Sequence, residues 1–63
     1  MDHISLIASS LNLPAYKVKN TIDLLNQDNT IPFIARYRKE ATGDLDEVQI
    51  RDISLELKRL VAL

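Results

Sequence analysis

Residues 30–47 read Thr30-Ile-Pro-Phe-Ile-Ala-Arg-Tyr-Arg-Lys-Glu40-Ala-Thr-Gly43-Asp-Leu-Asp-Glu47. This junction joins an aromatic and basic cluster, a glycine stop and an acidic helix start. Thr30 is suited to cap a helix, and Pro32 falls in its first turn, where a missing N–H costs nothing. At about 100° per residue, Phe33, Ile34, Tyr37 and Ala41 share one face. Arg36, Lys39 and Glu40 point away, and Arg38 falls between Ile34 and Ile31 on the flank of the apolar face. Gly43 ends the helix, because glycine accepts positive φ without steric cost. Asp44 with Glu47 then fits a capping box that opens the next helix.

The same logic extends outward on both sides. Asp2 can cap a first helix running to about Leu11, with Ile4, Ile7, Ala8 and Leu11 on one face. Asn12 is a plausible left-handed stop. Pro14 sits at or near the start of a second helix that buries Val18, Ile22 and Leu25 and turns Tyr16, Lys19, Asn20 and Asp23 outward. Residues 26–29, Asn-Gln-Asp-Asn, form a turn. The last helix begins at Leu45 or Asp46 and carries Ile50, Ile53, Leu57, Leu60 and Val61 as a stripe about 100° wide. Val48 and Leu55, seven residues apart, lie on its opposite face. No stretch alternates long enough to be a strand. The expected fold is all-α, a small bundle of four helices whose first two are arranged in a helix-turn-helix manner or as a plain αα-hairpin.

Composition narrows the function classes. Sixty-three residues make one domain at most, and a chain of this size buries only about 60% of the surface it exposes when unfolded. There is no cysteine to add a disulfide or a thiolate ligand, and the net charge is −1. Any attraction for nucleic acid must therefore come from a local patch rather than a global field. The apolar runs are far shorter than the roughly 20 residues that span a bilayer, and the N-terminus has no basic region ahead of an apolar block. A small soluble intracellular domain, without membrane contact, is expected. Two apolar faces on the last helix exceed what so short a bundle covers. The expectation is therefore a segment of a longer polypeptide, docked through Val48 and Leu55 or self-associating through them when isolated.

The segment 30–40, then Thr42-Gly43 and Leu45-Asp46-Glu47, resembles the N-terminal signature of the Tex-like transcription accessory proteins. Ile7-Ala8, Leu13-Pro14, Val18, Thr21-Ile22 and Leu24-Leu25 are also similar to that family, so the resemblance covers nearly the whole chain. It departs at Asp28-Asn29, where a small residue or glycine is expected before the signature, which bears on the shape of that turn. The resemblance implies a bacterial, cytoplasmic, multidomain protein associated with transcription. A degenerate RNase H-like domain, helix-hairpin-helix elements and an RNA-binding OB-fold would follow the helical region. The OB-fold would carry most of the affinity for RNA or DNA. The remaining domains of the full-length protein are the implied partners, and no cofactor is implied.

Three motifs bear on chemistry. Ala8, Asn12 and Val18 stand at helix-turn-helix spacings, which would present Pro14, Ala15, Tyr16, Lys19 and Asn20 to a major groove. That face offers only Lys17 and Lys19 for phosphates and no arginine for guanine readout. Arg36-Tyr37-Arg38-Lys39 has the composition of a nucleic-acid or partner patch. The plainer reading has Tyr37 packed with Phe33 on the core face and Arg38 paired with an acid among Asp44, Asp46 and Glu47, since an unpaired half-buried arginine is costly. Arg36 and Lys39 are then left free, or docked on a later domain. Asp44, Asp46 and Glu47 are explained by capping rather than catalysis, and His3 lacks a second ligand at helical spacing. The expected role is a non-enzymatic scaffold and interaction module. Its candidate nucleic-acid or partner contacts are Lys17, Lys19, Arg36 and Lys39, and its candidate docking residues are Val48 and Leu55. An autonomous helix-turn-helix DNA-binding module is the alternative.

Overall fold

The computed structural model describes residues 3–61. Among them there are five helices and no strand: α1 (His3–Leu11), α2 (Ala15–Asn26), α3 (Ile31–Tyr37), α4 (Lys39–Thr42) and α5 (Glu47–Val61). The all-α expectation is met, and the helix count differs by one. The expected cap at Asp2 lies outside the described residues.

The extra helix arises at Arg38. Ile34 is fully buried, and Ile31 and Ala35 pack beside it against the core. Relative to Ile34 these two lie at about 60° and 100° around the helix, and an uninterrupted helix would place Arg38 at about 40°, in the middle of the same stripe. A guanidinium cannot be buried there without an acid partner. The chain instead leaves helical geometry at Arg38, with φ −125° and ψ 33°, and the side chain turns to solvent. The Arg38 amide still donates to the Ile34 carbonyl. Its own carbonyl accepts from the Ala41 and Thr42 amides, so one residue closes α3 and opens α4.

The same choice of stripe corrects the placement of Tyr37. The core takes Ile31, Ile34 and Ala35 rather than Phe33, Ile34, Tyr37 and Ala41, and Tyr37 is 56% exposed. Among the described residues Arg38 has no carboxylate partner, so the pairing expected with Asp44, Asp46 or Glu47 is absent. Exposure removes the need for it.

The turns are built on left-handed residues. Asn12 takes φ 58° as expected, and the Leu13 amide reaches back to the Ala8 carbonyl at 2.9 Å, which satisfies an orphan carbonyl of α1. Asp28 takes φ 66°, and the Asn29 side chain donates to the Leu24 carbonyl at 2.8 Å. This is the turn in which the sequence departs from a glycine expectation, and the position is one that favours glycine. Gly43 stops α4 at φ 70°, and Asp44 follows at φ 67°.

The expected capping box of Asp44 with Glu47 forms two residues later, because Asp44 is spent on the turn. Asp46 Oδ1 accepts from the Gln49 amide at 2.8 Å, and Gln49 Oε1 accepts from the Asp46 amide at 3.1 Å. Leu45 and Ile50, the positions flanking this cap, are 2% and 0% exposed and form the apolar pair that fixes the entry angle of a helix. Thr30 caps α3 as expected, accepting from the Phe33 amide at 3.3 Å.

The core gathers Ile7, Ala8, Val18, Ile22, Ile34, Leu45, Ile50 and Ile53. Helix α2 is central and packs on all four other helices. On α5 the buried stripe is Ile50 and Ile53 with Leu57 and Leu60 beside them, whereas Val61 is 55% exposed despite lying on the same side. A favourable angle is of no use where no neighbour covers it. Two buried hydroxyls are satisfied locally, Thr21 donating to the Lys17 carbonyl at 2.8 Å and Thr42 to the Lys39 carbonyl at 3.4 Å.

Candidate nucleic-acid interface

The break at Arg38 decides what the surface of α3 displays. Phe33 and Tyr37, one turn apart, have ring centroids 5.2 Å apart at an interplanar angle of 45°, within the range where tilted aromatic pairs attract. The Arg38 guanidinium carbon lies 5.2 Å from the Phe33 centroid, and that of Arg36 lies 6.0 Å from the Tyr37 centroid. The four side chains make an outward-facing ladder, arginine–phenylalanine–tyrosine–arginine, in which each cation meets the electron-rich face of a ring. Arg38 is steadied by donating from Nη1 to the Tyr37 carbonyl at 3.3 Å.

The expected contact residues separate into two groups. Arg36 and Lys39 come together, lining a shallow groove with Pro32, Ala35 and Glu47. Glu47 is turned toward Arg51, 3.6 Å away. Lys17 and Lys19, on α2, are engaged elsewhere. The Lys17 stem lies over Gly43, so close that a Cβ added there would sit 2.6 Å from Lys17 Cε. Lys19 Nζ pairs with Asp23 at 3.0 Å.

Asn20 was expected to point outward. Its side chain instead donates to the Ala41 carbonyl at 2.8 Å, one of the carbonyls that the end of α4 leaves without a helical partner. One residue of the α2 face that a helix-turn-helix would present is thereby used to hold α4, while Pro14, Ala15, Tyr16 and Lys19 remain exposed.

Val48 and Leu55 are 57% and 55% exposed on the side of α5 away from Ile50 and Ile53, as the periodicity requires. The acidic group near the turn is accounted for by structure: Asp44 by the left-handed turn, Asp46 by the cap, Glu47 by Arg51. Among the described residues no group of three or more histidine, cysteine or carboxylate side chains is placed to hold a metal.

Sequence reasoning paired Phe33 with Tyr37 but buried the pair and missed the ladder. The signal that would have found it is a single cation, Arg38, falling inside an apolar stripe.

The family model for the Tex-like protein N-terminal domain matches residues 1–63, the whole chain. The chain belongs to that family. Among the relatives of this Tex-like domain, the "Uncharacterized protein YdcI" of Bacillus subtilis is 56% identical over 48 residues, covering 76% of this chain and 7% of the relative. The "Transcriptional accessory protein Tex" of Neisseria gonorrhoeae is 40% identical over 60 residues, 95% of this chain and 8% of the relative. The human "S1 RNA-binding domain-containing protein 1" is 39% identical over 62 residues, 98% of this chain and 6% of the relative. The Tex-like domain thus spans less than a tenth of the length of these curated relatives. With a human relative among them, membership of the family does not by itself imply a bacterial source. No solved structure matches the chain.

Proposed function

We propose that this Tex-like domain is a non-enzymatic scaffold and interaction module of a longer cytoplasmic transcription accessory protein, supporting that protein's contact with RNA or DNA. The observation that carries the reading is the two-sidedness of α5, which seals the core with Ile50 and Ile53 while leaving Val48 and Leu55 more than half exposed. The remaining domains of the parent protein are the occupants of that second side. The supporting contact is electrostatic, through Arg36 and Lys39 at the groove. Lys17 and Lys19 on α2, one laid over Gly43 and the other paired with Asp23, stand apart from it. The names of the gonococcal and human relatives, with their reference to transcription and RNA binding, favour the same direction. Among the described residues no helix is long and apolar enough to cross a membrane.

Titration calorimetry of the chain against the remaining domains of a full-length Tex-like protein tests the docking. Binding is expected, with the double change Val48→Ser and Leu55→Ser weakening it at least tenfold. Absence of binding, or indifference to both substitutions, overturns the scaffold reading.

The competing reading is an autonomous helix-turn-helix. In its favour, Ala8 and Val18 are buried and Asn12 takes the left-handed turn between α1 and α2. Against it stand the internal tasks of Lys17 and Asn20. A salt titration on duplex DNA separates the two. Specific proteins of that class bind with dissociation constants of about 10⁻⁸–10⁻¹¹ M at physiological salt, and such affinity with a base-pair preference would replace the scaffold reading.

A further inference from the structure

We infer that the α3 ladder of Arg38, Phe33, Tyr37 and Arg36 is a stacking platform for the unpaired bases of single-stranded nucleic acid. The inference deepens the supporting nucleic-acid contact described above and rests on it, naming the form of nucleic acid and the residues that meet it.

Four observations converge on this surface. Tyr37 is 56% exposed although it is aromatic and sits beside a second ring. A tyrosine that served only as packing would be expected to turn that area toward the core, and the core is filled here by Ile31, Ile34 and Ala35. The flanking cations are seated on ring faces rather than on acids. Among the described residues no carboxylate lies within ion-pair distance of Arg36, Arg38 or Lys39, whereas Lys19, Arg51 and Arg59 each have one. A phosphate can therefore engage these three without an existing ion pair being broken. Finally, Arg36 and Lys39 share the groove with Pro32, Ala35 and Glu47, the last turned toward Arg51, which gives the backbone of a bound strand a path on the Arg36–Lys39 side next to the rings.

The chemistry favours single strands over duplex. Base–aromatic stacking needs an exposed base face, which a paired and stacked duplex withholds. It also favours nucleic acid over a protein partner. Rings and arginines also occur at protein interfaces, so the ladder's composition is not the deciding feature. What favours nucleic acid is that Arg36, Arg38 and Lys39 are three cations beside the rings with no carboxylate in ion-pair distance among the described residues, a set matched to a chain of phosphates. Arginine adds its own planar surface and its charge to such a site.

The test is fluorescence anisotropy of the chain with labelled oligouridine and oligothymidine of about 12 nucleotides, within the usual size of such sites, and with a duplex of the same length. The uridine and thymidine arms distinguish RNA from DNA as the preferred strand. Both single strands are expected to bind more tightly than the duplex. Tyr37→Ala is expected to weaken single-strand binding on the order of ten- to a hundredfold, the worth of about one stacked base. Tyr37→Phe keeps the ring and should hold the parent affinity. Arg38→Gln should reduce the slope of log affinity against log salt by about 0.7, one phosphate contact on a single strand.

A second measurement does not depend on any variant folding. In the unaltered chain the Tyr37 ring protons should shift upfield on addition of oligouridine or oligothymidine.

Binding that ignores Tyr37→Ala, with ring signals unmoved, overturns the platform while leaving the electrostatic contact in place. Equal binding of duplex and single strand does the same. If no oligonucleotide binds at about 50 mM salt, where such contacts are strong, platform and electrostatic contact both fall, and the docking through Val48 and Leu55 stands or falls on its own titration. If Tyr37→Ala instead weakens association with the remaining domains, the ladder is a protein contact and the proposal is overturned.

Discussion

Three residues carry more of this structure than their size suggests. Gly43 holds φ 70° with the Lys17 stem directly over it. Any side chain there meets both the left-handed penalty of about 1–2 kcal/mol and a lysine that must swing aside. Gly43→Ala is expected to destabilise the chain by about that amount in a urea titration. Asp28 is the converse case. Its φ of 66° is a glycine position held by aspartate, so Asp28→Gly should be neutral or stabilising by up to about 1 kcal/mol, the left-handed strain relieved being offset by added freedom in the unfolded chain. Asn20 bonds the Ala41 carbonyl across 21 residues of sequence. Asn20→Ala should cost about 1 kcal/mol, the net worth of one hydrogen bond, and more if the carbonyl is left without water. Amide exchange at Thr42 and Gly43 should quicken in the same variant.

At the scale of the element, what was legible in the sequence depended on whether the decision was local. The stops at Asn12 and Gly43, the Thr30 cap and the stripes of α1, α2 and α5 follow from single residues and their periodicity, and they could be read directly, save Val61, which no neighbour covers, and Asn20, which turns onto α4. The α3–α4 break could not be read from propensity, because Arg38 is a good helix former. It is tertiary: the core chose one of two stripes that both contain Ile34, and only that choice makes position 38 intolerable for a cation inside a helix. The displacement of the cap from Asp44 to Asp46 has a related origin. Two carboxylates two residues apart both look like caps, and the backbone path after Gly43 determines which one is used. Asp46→Ala should therefore cost about 1 kcal/mol of stability, whereas Asp44→Ala, which removes no helix cap, should act only through its left-handed backbone. Denaturation of the two variants side by side checks the assignment. The candidate interface was half legible: its cations were evident as a cluster, but their stacking on Phe33 and Tyr37 waited on knowing which way α3 faces.

At the scale of the whole molecule, the radius of gyration is 10.5 Å, against about 10.6 Å expected for a globular chain of this length. The domain is as compact as its size allows while leaving Val48 and Leu55 outside. Replacing both by serine should change the stability of the chain by no more than about 0.5 kcal/mol, as for other exposed sites. Sedimentation of the parent chain and this variant should show whether any self-association depends on them; a parent chain that runs as a pure monomer removes self-association from the account. Interior changes should behave differently. Ile34→Ala empties a fully buried site and should cost about 2–5 kcal/mol, comparable to what a core this small supplies, so loss of the folded state is the expected outcome by circular dichroism. Ile34→Val should cost about 1 kcal/mol and remain folded.

A four-residue helix such as α4 cannot persist in water unaided. It exists because Arg38 opens it, Gly43 closes it and Asn20 clamps its far end. Arg38 and Lys39 are thus recruited from the least self-sufficient piece of the backbone. Any anion that gripped those two side chains would, by mass action, also tighten the piece that carries them. Occupancy of that surface should register as a higher melting temperature of the entire domain, climbing with the logarithm of ligand concentration once the dissociation constant is passed.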